Sequence, residues 1–270
     1  MYMNRFCFID SSGIIKNDKF FGTGLLIVKN VGDMIDKLAK NAQPAYSDAK
    51  KAKDKVIDKL ISMGEYDQVI KILKNKTRFE MKFDNVRKTT ELYYQRMIDI
   101  FLSDKDNRFS AAVVNKENPT FNGALIEDTW ETYTKYSAQL VIQEMRNMPL
   151  DKFCIVVDEI SKPRNKPLSL EDTLLSKIRT GINNDQSVQF ENVFGAISIE
   201  SHSNMLMQLC DVLLGAVMYD YKKKSGMTSS KIEARKENLV KKIRNVLKIE
   251  TLAKEIVDKS LVHFSVNEFV

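Results

Sequence analysis

Two apolar runs that each end in an aspartate place the strongest constraint on the fold. The first, "RFCFID", covers residues 5–10, and the second, "KFCIVVDE", covers residues 152–159. Side chains alternate between the two faces of a strand, and both faces of these runs are apolar, which is typical of strands inside a covered sheet. In open α/β sheets, ligands collect outside the carboxyl ends of such strands. The sequence therefore predicts that Asp10 and Asp158 share one crevice.

Strand-like and helical patterns alternate along much of the chain. Residues 5–10 and 20–28 are predicted to form an antiparallel hairpin, because Gly and Asn-Asp between them favour a turn. Further strands are predicted at residues 78–83, 109–115 and 193–200, with helices between them and after the last one. These patterns favour a mixed α/β layer fold with helices on both faces of the sheet.

One large domain accounts for most of the 270 residues. We predict a sheet domain over residues 1–221, with a helical insertion at about 31–76 that "NAQPAYS" and Gly64 interrupt. Residues 222–270 are predicted to form a basic helical C-terminal extension packed on that domain. Between residues 222 and 248 there are ten Lys or Arg against two Glu, whereas the whole chain carries a net charge of +6. Such a segment fits either a phosphate backbone or a solvated surface helix.

Composition excludes several classes of protein. The hydrophobic share of 43% and charged share of 29% are those of an ordinary folded protein. No membrane-spanning run and no secretory signal is recognisable, so we expect a cytoplasmic protein. The cysteines, Cys7, Cys154 and Cys210, are far apart and fit core packing, and two histidines are too few for a His-based metal cluster. Dinucleotide, P-loop and serine-hydrolase motifs are absent.

A third acid, Asp211, lies in a very apolar predicted helix. Gln208 is one turn away from it, and the small Gly215 would permit close approach of a neighbouring element. A single acid in such a helix indicates a site. Carboxylates that converge raise one another's pKa unless a cation neutralises them, and Mg²⁺ or Mn²⁺ suits oxygen ligands. The acids therefore predict a divalent-metal site.

Several motifs in order resemble one known family. "FIDSSG", "FFGTGLLIV", "FEMKF", "IVVD" and "ESHSNMLMQLCDVLLGA", within residues 5–221, are similar to the microbial family called domain of unknown function 3800. The resemblance implies a ribonuclease H-like fold and a metal-dependent nuclease site. It also implies a metal-binding and catalytic set, which comprises Asp10, Glu80, Asp158 and Asp211. Substrate contacts are expected from four further residues: Ser11, Lys82, Gln208 and His202.

Departures from the family pattern leave alternatives open. Ser11 stands where the family usually has Glu, which implies either a weaker site or one completed by Glu80. His202 is either a contact to phosphate, an aid to proton transfer or a loop residue without a role. Asn115 ends the fourth predicted strand, where many ribonuclease H-like folds carry an acid, so it competes with Asp158 for a place in the site.

The sequence thus favours a two-metal phosphodiester hydrolase acting on RNA or DNA, with Asp10 bridging the ions. The basic C-terminal helices would then follow the phosphate backbone. The alternative is a ribonuclease H-like module that no longer cuts and binds nucleic acid or a protein, for example in defence against mobile elements. Ser11 is the residue that best supports this alternative.

Overall fold

A seven-stranded mixed sheet forms the centre of the protein. The computed structural model describes residues 3–13, 18–74, 80–118, 121, 128–183, 188–228, 233–258 and 262–269. The strands are β1 (Asn4–Ser12), β2 (Phe20–Ile27), β3 (Arg108–Asn115), β4 (Lys152–Asp158), β5 (Val193–Ile199), β6 (Ile256–Asp258) and β7 (His263–Phe269). Their order across the sheet is β5-β4-β1-β2-β3-β7-β6.

The central strand β1 has neighbours of opposite direction. It pairs antiparallel with β2, which confirms the predicted hairpin, and parallel with β4. The register places Asp10 opposite Gly24 of β2, and Ile9 opposite Val157 of β4. The two apolar runs that end in aspartate are therefore neighbouring strands with their carboxyl ends at the same edge.

Helices cover both faces of this sheet. They are α1 (Val31–Ser62), α2 (Tyr66–Lys74), α3 (Glu91–Leu102), α4 (Thr129–Asn147), α5 (Leu170–Ile182), α6 (Met205–Lys224) and α7 (Glu233–Leu247). One core lies between the sheet and α1, α3, α6 and α7, and the other lies between the sheet and α4 and α5. The predicted mixed α/β sheet with helices on both faces is thus confirmed. No helix in the described ranges has the length and hydropathy needed to cross a membrane.

The helical insertion differs from its prediction at one point. Helix α1 continues through Pro44, although proline removes one backbone hydrogen bond within a helix. Ala42 and Ala45 on either side are buried in the core, so packing outweighs the local cost. The expected break does occur at Gly64, whose φ of 75° suits glycine.

The C-terminal segment is not the purely helical extension that was predicted. Among the residues that the structure describes after α6, α7 is helical, and β7 then pairs in parallel with β3 inside the sheet. Strand β6 adds to β7 at the sheet edge. Residues 263–269 therefore belong to the sheet domain, because their alternate side chains Phe264 and Val266 enter the same core as α6.

Candidate functional site

Asp10 and Asp158 lie side by side at the carboxyl ends of β1 and β4. Ile9 pairs with Val157, so the next residues of these parallel strands are also neighbours. Phe8 and Val156, two residues earlier, both enter the core beneath α6. Since strand side chains alternate, both aspartates point to the α6 side of the sheet. Asp10 is only 6% exposed.

Helix α6 brings Asp211 to the same place because it packs very close to the sheet. A Cβ added at Gly24, the partner of Asp10, would lie 3.1 Å from the Cβ of Leu214 and 3.4 Å from the Sγ of Cys210. The absence of side chains on the glycines of β2 thus lets α6 approach. The three cysteines are buried, as core packing predicts.

The electrostatics of the three aspartates confirm that they are close. Burial raises the pKa of Asp10 well above its usual value, and the charges of Asp211 and Asp158 raise it further. Burial raises the pKa of Asp211 to about 6, although the Phe83 N–H and the charge of Lys82 oppose the shift. Burial also raises the pKa of Asp158. Burial is the largest cause of all three shifts, and at Asp10 the charges of the other two aspartates add to it.

Backbone N–H groups fix the orientation of each aspartate. The Oδ1 of Asp10 accepts from Ser11 at 2.7 Å, that of Asp158 from Ser201 at 3.1 Å, and that of Asp211 from Phe83 at 2.7 Å. These bonds use Oδ1 in every case. The three Oδ2 atoms are therefore the oxygens best suited to coordinate a cation.

The segment that carries Glu80 and Lys82 is held by side chains and is not a strand where the structure describes it. Residues 80–82 are irregular and Phe83–Asn85 form a 3₁₀ turn, whereas residues 78 and 79 of the predicted strand lie outside the described ranges. The backbone N–H of Met81 donates to Gln208 Oε1 at 2.9 Å, and that of Phe83 donates to Asp211. Helix α6 thus supplies the acceptors that a neighbouring strand would have supplied.

Gly215 has the role that the sequence predicts. A Cβ at this position would overlap the side chain of Phe83. The neighbouring element that approaches α6 closely is therefore the 3₁₀ turn Phe83–Asn85, which directly follows Glu80 and Lys82.

Lys82 is the cation nearest to the acids. Its Nζ lies 3.0 Å from Oε2 of Glu80, and its charge lowers the pKa values of Asp10, Asp158 and Asp211. As the side chains lie, no group of three or more His, Cys, Asp or Glu residues within the described ranges is arranged to hold a metal ion. The donor chemistry fits Mg²⁺ or Mn²⁺, and enclosing an ion requires the carboxylates to turn toward one another.

Gln208 does not reach a crevice as the resemblance implied. Its side chain is fully buried, accepts from Met81 and donates from Nε2 to the carbonyl of His202 at 3.2 Å. It therefore positions the segment next to the site. A buried amide that satisfies backbone groups is common, but the sequence does not reveal which groups those are.

Ser11 and Asn115 also lie apart from the acids. Ser11 follows Asp10 in β1, so its side chain projects to the other face of the sheet. Asn115 lies two strands away from β1 and accepts from the N–H of Glu117 at 3.2 Å in the turn after β3. Of the two residues that competed for the site, Asp158 is the one beside Asp10.

A cavity of about 390 Å³ adjoins Asp211. Ser12, Lys82, Lys222 and Lys236 are among the residues that line it. Neither Ser12 nor these two lysines of the basic segment was singled out from the sequence. The "DSSG" turn was the available signal for Ser12, whose side chain projects to the same face as Asp10.

Much of the basic C-terminal segment is neutralised within the protein. Lys223 pairs with Glu237 at 2.7 Å, Lys242 with Asp99 at 2.7 Å, and Lys236 with Asp84. Arg244 also pairs with Glu237, at 2.9 Å. These pairs attach α7 to the body of the protein, so the segment is less of a phosphate-binding surface than its composition indicates.

Comparisons with known proteins give weak structural similarity and no match by sequence. No family model matches this sequence, and no curated protein is similar to it. Among solved structures, the chain is similar to one in the complex of PCNA and RNase HII from Archaeoglobus fulgidus, with 9% identity. The similarity covers 91% of each chain at a TM-score of 0.40. A TM-score this low carries no information about function.

Proposed function

We propose that the protein is a divalent-metal-dependent nuclease, that is, a phosphodiester hydrolase acting on RNA or DNA. The observation that carries this proposal is the cluster of buried Asp10 with half-buried Asp158 and Asp211, whose charges repel that of Asp10 and are only partly offset by Lys82. A bound divalent cation would remove that repulsion. The resemblance to the domain of unknown function 3800 family supports the same assignment.

The residues of the chain have separate roles in this proposal. Asp10, Asp158 and Asp211 would hold the ion through their Oδ2 atoms, with Glu80 completing the set. When bound, Mg²⁺ or Mn²⁺ supplies charge neutralisation and activates water for an in-line displacement at phosphorus. Lys82, Lys222 and Lys236 border the adjoining cavity and would hold phosphate oxygens there.

A second candidate is a module that binds nucleic acid without cutting it. The Lys82–Glu80 pair favours this candidate, because an internal cation already stands beside the acids and no three described ligands enclose an ion. Ser11, in place of the carboxylate usual in the resembling family, also favours it.

A cleavage assay distinguishes the nuclease from the binding module. Its substrates are labelled RNA and DNA, single-stranded and duplex, and it is run with Mg²⁺, with Mn²⁺ and with a chelator. We expect metal-dependent cleavage by the wild type and a loss of at least about 100-fold in Asp10→Asn and Asp158→Asn, since even outer-shell changes around a metal cost about 10- to 100-fold.

Asp99→Asn is the matched control, because Asp99 is an exposed acid on α3 that pairs with Lys242 far from the cluster. It should retain wild-type cleavage. Cleavage that is equally strong in Asp10→Asn, or that persists in the chelator, would contradict the metal-dependent site. Binding without any cleavage would favour the second candidate.

A further inference from the structure

A second and larger concavity lies between the helical insertion and the segment that follows Glu80. Its volume is about 1110 Å³, and Tyr46, Lys50, Lys53 and Val56 of α1 line one side of it. Arg87 and His202 are among the residues on the other sides. We propose that this groove binds single-stranded nucleic acid and leads it to the acidic cluster.

Charge is the first argument for this ligand. Lys50, Lys53 and Arg87 are exposed, and none of them forms an ion pair with an acid in the part of the chain that the structure describes. From Lys50 to Lys59, α1 carries five Lys against two Asp. Lys236 and Lys242 of α7 are neutralised by internal pairs, whereas the groove cations are available to attract a polyanion.

Continuity with the acidic cluster is the second argument. Glu80 lines the groove and Lys82 lines the cavity beside Asp211. The Nζ of Lys82 and the Oε2 of Glu80 are 3.0 Å apart, so this ion pair is a common wall of the two concavities. A strand that follows the groove past Glu80 would therefore arrive at the aspartates.

The chemistry of the wall distinguishes a single strand from a duplex. Val56 is 50% exposed, and Ile72 of α2 and the ring of Tyr46 border the same groove. Single-strand sites combine cations along the backbone with apolar or aromatic surface for the base faces. A duplex buries its base faces by stacking and would leave this surface without a partner.

Direct binding measurements test the inference, which depends on the proposed function for the class of ligand. The Asp10→Asn variant is used, so that binding is measured without cleavage. The probes are fluorescent single-stranded DNA and RNA of about 16 nucleotides and the duplex of the same sequence. Anisotropy is recorded over a range of salt concentrations.

Two double variants distinguish binding at the groove from attraction to the overall positive charge of the protein. Lys50→Ala with Lys53→Ala removes two groove cations, and Lys51→Ala with Lys55→Ala removes two exposed cations of the same helix that do not line it. We expect the first pair to weaken single-strand binding on the order of tenfold and to reduce the salt slope by about 1.4, and the second to change it far less. Arg87→Ala against Lys88→Ala repeats the test on the opposite wall.

Equal losses in the groove and control variants would overturn the inference, as would absence of binding or tighter binding of the duplex. A groove-specific loss supports it whether or not the wild type cleaves. A failure of the proposed nuclease activity therefore appears in the cleavage assay alone, and a failure of the groove appears in the binding assay alone.

Discussion

Two buried acidic regions of this protein have opposite electrostatic surroundings. Glu144 of α4 is fully buried, like the candidate site acid Asp10, which is 6% exposed. Arg108 Nε lies 2.6 Å from its Oε2, and the Ser110 hydroxyl donates to its Oε1 at 2.6 Å. His263 Nε2 lies 3.3 Å from the same Oε1. Glu144 thus has cationic and hydroxyl partners, whereas Asp10 has two other acids nearby.

The pKa values express this difference. Burial opposes ionisation of Glu144, but the His263 hydrogen bond and the charge of Arg108 outweigh it and lower the pKa to about 2. Burial and neighbouring charge instead raise the pKa of Asp10. A buried acid that is fully partnered joins elements of the fold, here α4, β3 and β7. A cluster of acids whose charges Lys82 only partly offsets is suited to an external cation.

The largest expected effect comes from breaking the partnered region. Glu144→Gln leaves Arg108, whose side chain is only 17% exposed, without its counter-charge and should lower the free energy of unfolding by about 3 kcal/mol. Asp211→Asn keeps an acceptor for the Phe83 N–H and removes a charge whose ionisation the fold disfavours, so it should not lower the free energy of unfolding at pH 7 and should raise it by up to about 3 kcal/mol. Urea unfolding at pH 7 without divalent ions measures both. Equal losses of unfolding free energy in the two variants would contradict the proposed difference between the two acidic regions.

The two regions should also respond to pH with opposite sign. The pKa of Asp211 is raised from 3.8 to about 6, so its contribution to stability is present below pH 3.8 and is lost as pH rises through about 6. The shift of about two units corresponds to about 3 kcal/mol. The pKa of Glu144 is lowered from 4.5 to about 2, so its contribution is present above pH 4.5 and is lost as pH falls through about 2.

Unfolding in the presence of a chelator, from about pH 8 to about pH 2, tests the direction of both pH dependences. The wild type and each variant are measured. Asp211→Asn should flatten the curve above pH 3.8, and Glu144→Gln should flatten it below pH 4.5. If the Asp211→Asn curve runs parallel to the wild type, Asp211 does not carry the expected repulsion.

A divalent ion should stabilise only one of the regions. At a Mn²⁺ concentration of 100 times the Kd, the wild type should gain about 2.7 kcal/mol. Glu144→Gln should gain the same increment from its lower starting point, and Asp10→Asn should gain little. Thermal unfolding with increasing Mn²⁺ measures these increments. A full increment in Asp10→Asn would show that the ion binds elsewhere.

The smallest expected change in stability distinguishes two serines that lie beside buried acids. Ser110 donates its hydroxyl to Glu144, so Ser110→Ala should cost about 1.5 kcal/mol. Ser11 contributes only its backbone N–H to Asp10, and alanine retains that group, so Ser11→Ala should stay within about 0.5 kcal/mol. Urea unfolding of the two variants under the same conditions provides the comparison. A cost for Ser11→Ala as large as that for Ser110→Ala would assign its side chain a role in the site.

The apolar runs were sufficient to predict five strands of the sheet. Residues 5–10, 20–28, 109–115, 152–159 and 193–200 correspond to β1, β2, β3, β4 and β5 within a few residues. The sequence reading missed α5, although Leu170, Leu174 and Ile178 recur at helical spacing after the capping residue Ser169. It also missed β7, which lies in the segment that was predicted to be helical, because its pairing with β3 depends on residues about 150 positions away.

The segment around Glu80 shows where local pattern fails. "FEMKF" alternates like a strand, yet its described part has no strand partner, since Gln208 and Asp211 accept from its backbone. Side-chain acceptors on a helix replace the ladder of a sheet here. Strand propensity depends on the local sequence and takes no account of a hydrogen-bond acceptor that lies more than a hundred residues away.

The sequence alone determined which strands are buried on both faces and that two of them end in aspartate, because hydrophobic periodicity is a local property. Tertiary structure decided the rest of the site. Close packing of α6 on Gly24 brought Asp211 to Asp10, and the fold turned Ser11 away while turning Ser12 inward. Charge, burial and contact depend on distances between remote residues, and only the folded chain sets those distances.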